Sequence, residues 1–206
     1  MAVDVTQLRR SPLGHRYREL EELSALAPQA TLAEEPPCTQ LNLRVRPGSP
    51  PLDRVERALG VALPSRPNTV CESVDGRYAT LWLGPDEWLV VAPDGTAEPV
   101  CNALNTALNT ALDGGPGSVV DVSANRAVLR LSGPAARDVL ETGCSVDLHP
   151  RAFGPGDCVQ TMLARAQVVL WQRDDLPAYW ILVRSSFADY LTDWLCAAVR
   201  AQTRGR

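Results

Sequence analysis

NRAVLRLSGPAARDVLETG, residues 125–143, opens as an alternating run, breaks at Gly133-Pro134, and continues with helical spacing until Gly143. Proline is favoured where a helix starts and glycine where it stops, so the stretch predicts a strand turning into a short helix. The same order occurs at residues 40–60, QLNLRVRPGSPPLDRVERALG, where Pro50 opens the helix and Gly60 closes it. The segments downstream of the two stretches also match. In both, a loop (PSRPN; LHPRAFGPGD) leads to a β-rich hairpin, and an amphipathic helix comes directly after it.

The first hairpin is RYATLWLGPDEWLVVAP, turning at Gly84, Pro85 and Asp86, and the second is QTMLARAQVVLWQRDDLPAYWILVRS, turning at RDDLPA. Trp82 and Trp88 correspond to Trp171 and Trp180. The helix EPVCNALNTALNTAL gathers Val100, Leu104, Ala107, Leu108 and Ala111 on one face. SFADYLTDWLCAAV gathers Phe187, Leu191, Trp194, Leu195 and Ala198, with Ser185 or Ser186 placed to cap it. The fold class is therefore α+β, built from two pseudo-repeated β-α-β-β-α units. A single such unit leaves a sheet face and an edge incompletely covered, which gives the duplication a physical reason.

The expected boundaries are 1–39 for an N-terminal extension or arm, 40–113 and 114–200 for the two halves, and 201–206 for a basic tail. Within the arm, Tyr17, Leu20, Leu23 and Leu26 recur at three-residue spacing, a helical stripe that fits either this chain or a neighbour.

Composition excludes several function classes. With 206 residues and 45% hydrophobic content the chain can bury a substantial core. A net charge of -4 with no basic block before the tail argues against nucleic-acid binding. There is no lysine, so all 20 basic residues are arginine, and Ile181 is the sole isoleucine, a pattern that fits a GC-rich bacterial genome. No apolar run approaches the roughly 20 residues of a spanning helix, and no signal peptide opens the chain, so no membrane role and a cytoplasmic location are expected. The six cysteines, Cys38, Cys71, Cys101, Cys144, Cys158 and Cys196, contain no C-x-x-C pair and have only His15 and His149 to supplement them. They read as buried hydrophobes, and no metal site is expected.

A few residue sets have the composition that chemistry needs. The Ser132-Gly133-Pro134 corner resembles a phosphate loop in shape but lacks G-x-G-x-x-G or G-K-[ST], and Pro134 removes an amide donor. Ser132, Asp121 and His149 make a formal triad without a nucleophile elbow. Asp86 with Glu87, and Asp174 with Asp175, fall in hairpin turns where carboxylates bond nearby amides. The five tryptophans, Trp82, Trp88, Trp171, Trp180 and Trp194, divide between core and partner anchors. No catalytic, cofactor-binding or metal residue is assigned.

LGPDEWLVV, then VVDVSANRAVLRLSGPAARDVLETGCSVDLHPRAFGPGDCVQTMLARAQVVLW, then YWILVRSSFADYLTDWL, together resemble the gamma-subunit family of bacterial heterotetrameric sarcosine oxidase over about Pro64 to Val199. That family is similar in fold to the folate-binding domain of the glycine-cleavage aminomethyltransferases. The resemblance implies a non-catalytic structural subunit, without a cofactor of its own, of a complex that oxidatively demethylates sarcosine to glycine. Hydrogen peroxide and formaldehyde or 5,10-methylenetetrahydrofolate are the other products. The implied partners are alpha, beta and delta subunits, which hold FAD, FMN, NAD, zinc and tetrahydrofolate. The alternative is a folate-binding aminomethyltransferase-like protein acting alone. Against it, folate-binding relatives carry an acidic pair where this chain has Ala166, Gln167, Val168 and Val169.

Overall fold

The computed structural model describes residues 10–109 and 117–204. Ten strands form two antiparallel five-stranded sheets. The elements run α1 (Tyr17–Leu26), β1 (Thr31–Glu34), β2 (Thr39–Arg44), α2 (Pro50–Leu59), β3 (Val70–Glu72), β4 (Ala79–Gly84), β5 (Glu87–Ala92) and α3 (Ala97–Asn109). The second half continues with β6 (Ser118–Asp121), β7 (Arg126–Ser132), α4 (Ala136–Glu141), β8 (Cys158–Leu163), β9 (Ala166–Asp174), β10 (Ala178–Arg184) and α5 (Ala188–Arg204).

The expected repeat is present, and beyond β-α-β-β-α the first unit carries one further strand, β3, and the second two, β6 and β8. Strand β8 is masked by its turn, whereas β3, only three residues long, is too short to show a period beside the Asp75-Gly76 turn. The residues between β8 and β9 are Ala164 and Arg165, with Ala164 at a φ of 51, so a tight hairpin is made without glycine, proline, asparagine or aspartate.

Sheet order is β3-β4-β5-β2-β6 in one sheet and β8-β9-β10-β7-β1 in the other. The two edge strands are exchanged. Strand β1 precedes β2 in the chain but pairs with β7, Leu32 opposite Leu131. Strand β6 precedes β7 but pairs with β2, Val119 opposite Leu43. Each sheet thus takes an edge from outside the segment that supplies its other strands, β1 from 1–39 and β6 from 114–200.

Helix stripes cover the outer faces. On one side Val55 and Leu59 of α2 and Val100, Leu104, Ala107 and Leu108 of α3 pack on Leu41, Leu43, Trp88 and Val90. Gly60 ends α2 in the left-handed conformation at φ 66, as its sequence position predicts. Ala111 lies outside the described residues. On the other side α1, α4 and α5 cover Leu129, Leu131, Leu170, Ile181 and Val183. Leu20 and Leu23 of the N-terminal stripe belong to this core, whereas Tyr17 is 52% and Leu26 76% exposed. The basic segment 201–206 continues α5 as far as Arg204, and its last two residues are outside the described chain.

Between the sheets, Ala79, Leu81, Leu83, Leu89 and Val91 meet Val128, Cys158, Val169, Trp171 and Leu182. The order is helices, sheet, sheet, helices. Backbone and side-chain bonds join the sheets at one edge, where Cys158 N–H donates to the Asn68 carbonyl at 2.9 Å and Gln160 Nε2 to the Leu83 carbonyl at 2.8 Å.

The tryptophan correspondence holds in the hairpins and fails in the faces. Trp82 stands opposite Trp88, and Trp171 opposite Trp180. Yet Trp82 and Trp88 point to the α2–α3 side, whereas Trp171 and Trp180 lie between the sheets. A one-residue offset from the turn suffices, because strand side chains alternate with period two. There Arg173 lies 4.2 Å from the Trp171 ring centroid and 4.6 Å from that of Trp180, and reaches Glu72 on β3 at 3.8 Å.

Two helix starts differ from expectation. Pro134 precedes α4 by two residues because Gly133, at φ 118, first turns the chain, and Ala135 N–H donates to the Gln29 carbonyl at 2.8 Å. Ser185 donates its hydroxyl to the Ala124 carbonyl at 3.1 Å instead of capping α5, and a 3-10 turn, Ser185–Phe187, leads into the helix.

Gly133 is irreplaceable on two counts, since an added Cβ would fall 2.5 Å from the Gln29 carbonyl oxygen as well as meeting the positive φ. Gly133→Ala is expected to lower unfolding free energy on the order of 3 kcal/mol in urea titration. Gly76→Ala, with positive φ but open space around it, should cost about 1 kcal/mol. Equal losses for the two variants would contradict the close-approach argument.

Candidate functional site

The residues with a composition suited to catalysis are held apart by local bonds. Ser132 Oγ lies 2.9 Å from the Thr31 hydroxyl, on the β1–β7 ladder. Asp121, on β6 in the opposite sheet, accepts from the Ser123 amide at 2.9 Å and from its hydroxyl at 2.5 Å. His149 accepts at Nδ1 from the Arg151 amide at 3.2 Å. Each has a different set of neighbours, so no nucleophile, base and orienting acid share a site.

The carboxylates of the first hairpin turn behave as structural groups, and the second turn is held through its backbone. Glu87 takes Arg44 Nη2 at 2.6 Å and Asn42 Nδ2 at 2.7 Å, and Asp86 takes Arg44 Nη1 at 3.5 Å. Around the second turn, Gln172 Nε2 donates to the Asp174 carbonyl at 3.2 Å. All six cysteines are free, with Cys158 and Cys196 buried. Burial pushes the Cys158 thiol from its ordinary 9.0 up to about 12, the opposite of what a nucleophile or thiolate ligand requires. Among the described residues, no three His, Cys, Asp or Glu side chains converge as a metal would need.

Of the tryptophans, Trp88 and Trp171 are buried and the other three are packed against the cores. Trp88 Nε1 donates to the Pro64 carbonyl at 2.9 Å, which fixes its core role. The exposed large apolar side chains are others, among them Leu176, Phe187 and Tyr190, residues that tryptophan counting misses. Their signal in sequence is faint: Leu176 lies in a turn, and Phe187 shares the spacing of a buried stripe.

At the position of the acidic pair of folate-binding relatives, β9 presents Ala166 and Val168 to the helix-side core and Val169 to the inter-sheet core. Only Gln167 is exposed. These side chains offer no carboxylate to a pterin, and their apolar contacts are satisfied within the chain.

Concavity with polar lining occurs elsewhere, at the end of the inter-sheet layer away from the β9–β10 turn. A cavity of about 400 Å³ lies there between the β1–β2 linker, the β6–β7 loop and the start of β7. Nearby, the N-terminal region is tied to α5 by a charge network. Arg16 meets Asp193 at 2.7 Å and Glu19 at 2.8 Å, and Glu19 meets Arg200 at 3.0 Å. The Arg200 hydrogen bond, partly opposed by burial and joined by Arg16, holds Glu19 below the usual carboxylate range.

A sequence profile described as the sarcosine oxidase gamma subunit family matches residues 50–201. The chain belongs to this family. The family's sarcosine oxidase subunit gamma from Corynebacterium sp. (strain P-1) is 41% identical over 197 residues, covering 96% of this chain and 93% of that protein. Its counterpart from Corynebacterium sp. (strain U-96) is 42% identical over 198 residues with the same coverage. In three dimensions the chain is similar to one from the heterotetrameric sarcosine oxidase of Corynebacterium sp. U-96 in complex with pyrrole 2-carboxylate. That chain is 40% identical, with a TM-score of 0.86 over 96% of this chain and 97% of the other. The glycine cleavage system aminomethyltransferase T of Bartonella henselae is 15% identical with a TM-score of 0.60 over 85% of this chain and 48% of the enzyme, a likeness of fold. The family and the α+β fold of two pseudo-repeated units expected from sequence thus agree with these findings.

Two buried groups set an alkaline limit. Burial raises the Tyr179 hydroxyl from 10.0 to about 12, partly offset by Arg137, in the same direction as Cys158. The folded chain therefore keeps protons that the unfolded chain has released, so stability is full below the unfolded values and falls as pH rises towards 12. Urea midpoints are expected to drop between about pH 9 and pH 12, and Cys158→Ala to shrink that drop. An unchanged drop in the variant would remove the thiol as a cause.

Proposed function

We propose that this chain is the non-catalytic gamma subunit of a cytoplasmic heterotetrameric sarcosine oxidase, the complex that oxidatively demethylates sarcosine to glycine. Alpha, beta and delta subunits hold FAD, FMN, NAD, zinc and tetrahydrofolate, and this chain contributes structure. One observation carries the reading: the TM-score of 0.86 across 97% of a chain from a heterotetrameric sarcosine oxidase, at 40% identity. The local chemistry supports it. Ser132, Asp121 and His149 are locally engaged, the buried thiols are held neutral, and β9 spends the folate-relevant positions on its own cores.

The alternative, a folate-binding protein acting alone, is favoured only by the fold shared with aminomethyltransferase T. Four measurements decide. The purified chain is expected to show no flavin absorbance and no oxygen consumption with sarcosine, and calorimetric titration with tetrahydrofolate to show no binding. Native co-purification with mass spectrometry should bring down three further subunits. Oxygen uptake by the isolated chain would sink the reading, and micromolar folate affinity would install the alternative.

A further inference from the structure

Strands β7 and β10 put Arg126 directly opposite Arg184. Both lie on the face that carries Val128 and Leu182 towards the other sheet, since side chains alternate along a strand. Like charges placed opposite one another across a ladder repel. Neither guanidinium has a hydrogen-bond acceptor or an ion-pair partner among the described residues. Arg126 is half-buried, and that burial, with Arg184 beside it, disfavours its charge. The acid that acts in its favour is Glu87, which is already held by Arg44 at 2.6 Å and Asn42 at 2.7 Å.

Facing Arg126 from the opposite sheet is Gln40, 1% exposed. Its Nε2 donates to the Arg126 carbonyl at 3.4 Å, and its Oε1 is buried without any partner. Both residues line the cavity of about 400 Å³, which is walled by Pro36, Pro37 and Ser123. Acids line it too, but they are engaged: Glu35 pairs with Arg130 at 2.7 Å, Glu34 accepts from the Ser11 hydroxyl, and Asp94 has a contact of its own. The donors of Arg126 and Arg184 and the amide acceptor of Gln40 are left to be satisfied, with Arg10 also lining the cavity. A carboxylate with an N–H close beside it satisfies both.

We propose that this end of the inter-sheet layer seats an acidic residue of a partner subunit, its carboxylate on Arg126 and Arg184 and an adjoining backbone N–H on Gln40 Oε1. The inference rests on the assembly reading and adds where one contact lies. A protein partner fits better than a free small carboxylate because the unpaired charge is not confined to the cavity. It extends from half-buried Arg126 to exposed Arg184, where a partner surface would stand.

The test is reconstitution of the full chain with the remaining subunits, reading affinity and amide exchange. Arg184→Glu changes only an exposed side chain and should weaken assembly by about tenfold or more, whereas Arg151→Glu, in an exposed loop elsewhere, should stay within about twofold. In the unmodified complex, amides of residues 38–40 and 122–128 should exchange more slowly than in the free chain. Unchanged affinity for Arg184→Glu overturns the proposal. So does weakened affinity without protection of those amides, which would show only a long-range charge effect. Micromolar binding of free succinate or glutamate, with assembly indifferent to it, would make the cavity a small-molecule site and also overturn it. If the unmodified chain fails to join the complex, the assembly reading falls and this inference with it. If it joins but Arg184→Glu is silent, only this inference falls.

Discussion

A sheet with helices on one side still has an apolar second side, and in this chain the two sheets solve that problem for each other. Leu81, Leu83 and Leu89 of one sheet and Val128, Val169 and Leu182 of the other have no other cover. Removing such side chains from water is the main favourable term in folding, and here it is available only when both halves are present. The remaining architecture derives from this constraint. The outer faces need helices, and the inner faces must stay apolar. Exchange of β1 and β6 gives each sheet an edge strand tethered to the other half, so the halves are held together by hydrogen bonds as well as by apolar burial.

Arginines enter the inter-sheet layer at both of its ends. Towards the β9–β10 turn, Arg173 lies across Trp171 and Trp180 and bonds to Glu72, so its charge is neutralised where it meets the apolar layer. At the far end Arg126 and Arg184 have no such counterpart among the described residues. The contrast between a satisfied and an unsatisfied arginine in the same layer distinguishes a structural clamp from a surface that expects company. It also accords with membership of a subunit family, in which a chain need not satisfy all of its own charges.

Much of this architecture was legible in the residues, for identifiable reasons. Pro50 and Gly60 bracket α2 because a fixed φ suits a helix start and a left-handed glycine suits its end. The hairpin at Gly84 and the stripes Val100, Leu104, Ala107 and Leu108 are local patterns with local causes. The β8–β9 turn at Ala164 and Arg165 was not legible, because its residues are not turn formers and the pairing of nine-residue β9 with β8 imposes the bend. Nor was the fate of Ser185, whose hydroxyl found a better-placed acceptor at Ala124, distant in sequence, than the helix start it was expected to cap. Of the candidate site, the individual residues were unremarkable: Gln40 and Arg126 are ordinary members of alternating strands.

Order, period and repeat are properties of neighbours along the chain, and these the residues determined by themselves: two related α+β units, their helix boundaries, their hairpins and a family resemblance. Which face each tryptophan pair occupies, which strand completes which sheet, and which arginine is left without a carboxylate are properties of residues far apart in sequence. They were decided only when the halves packed, because strand face turns on a single-residue offset and charge satisfaction depends on what the opposite sheet brings within reach.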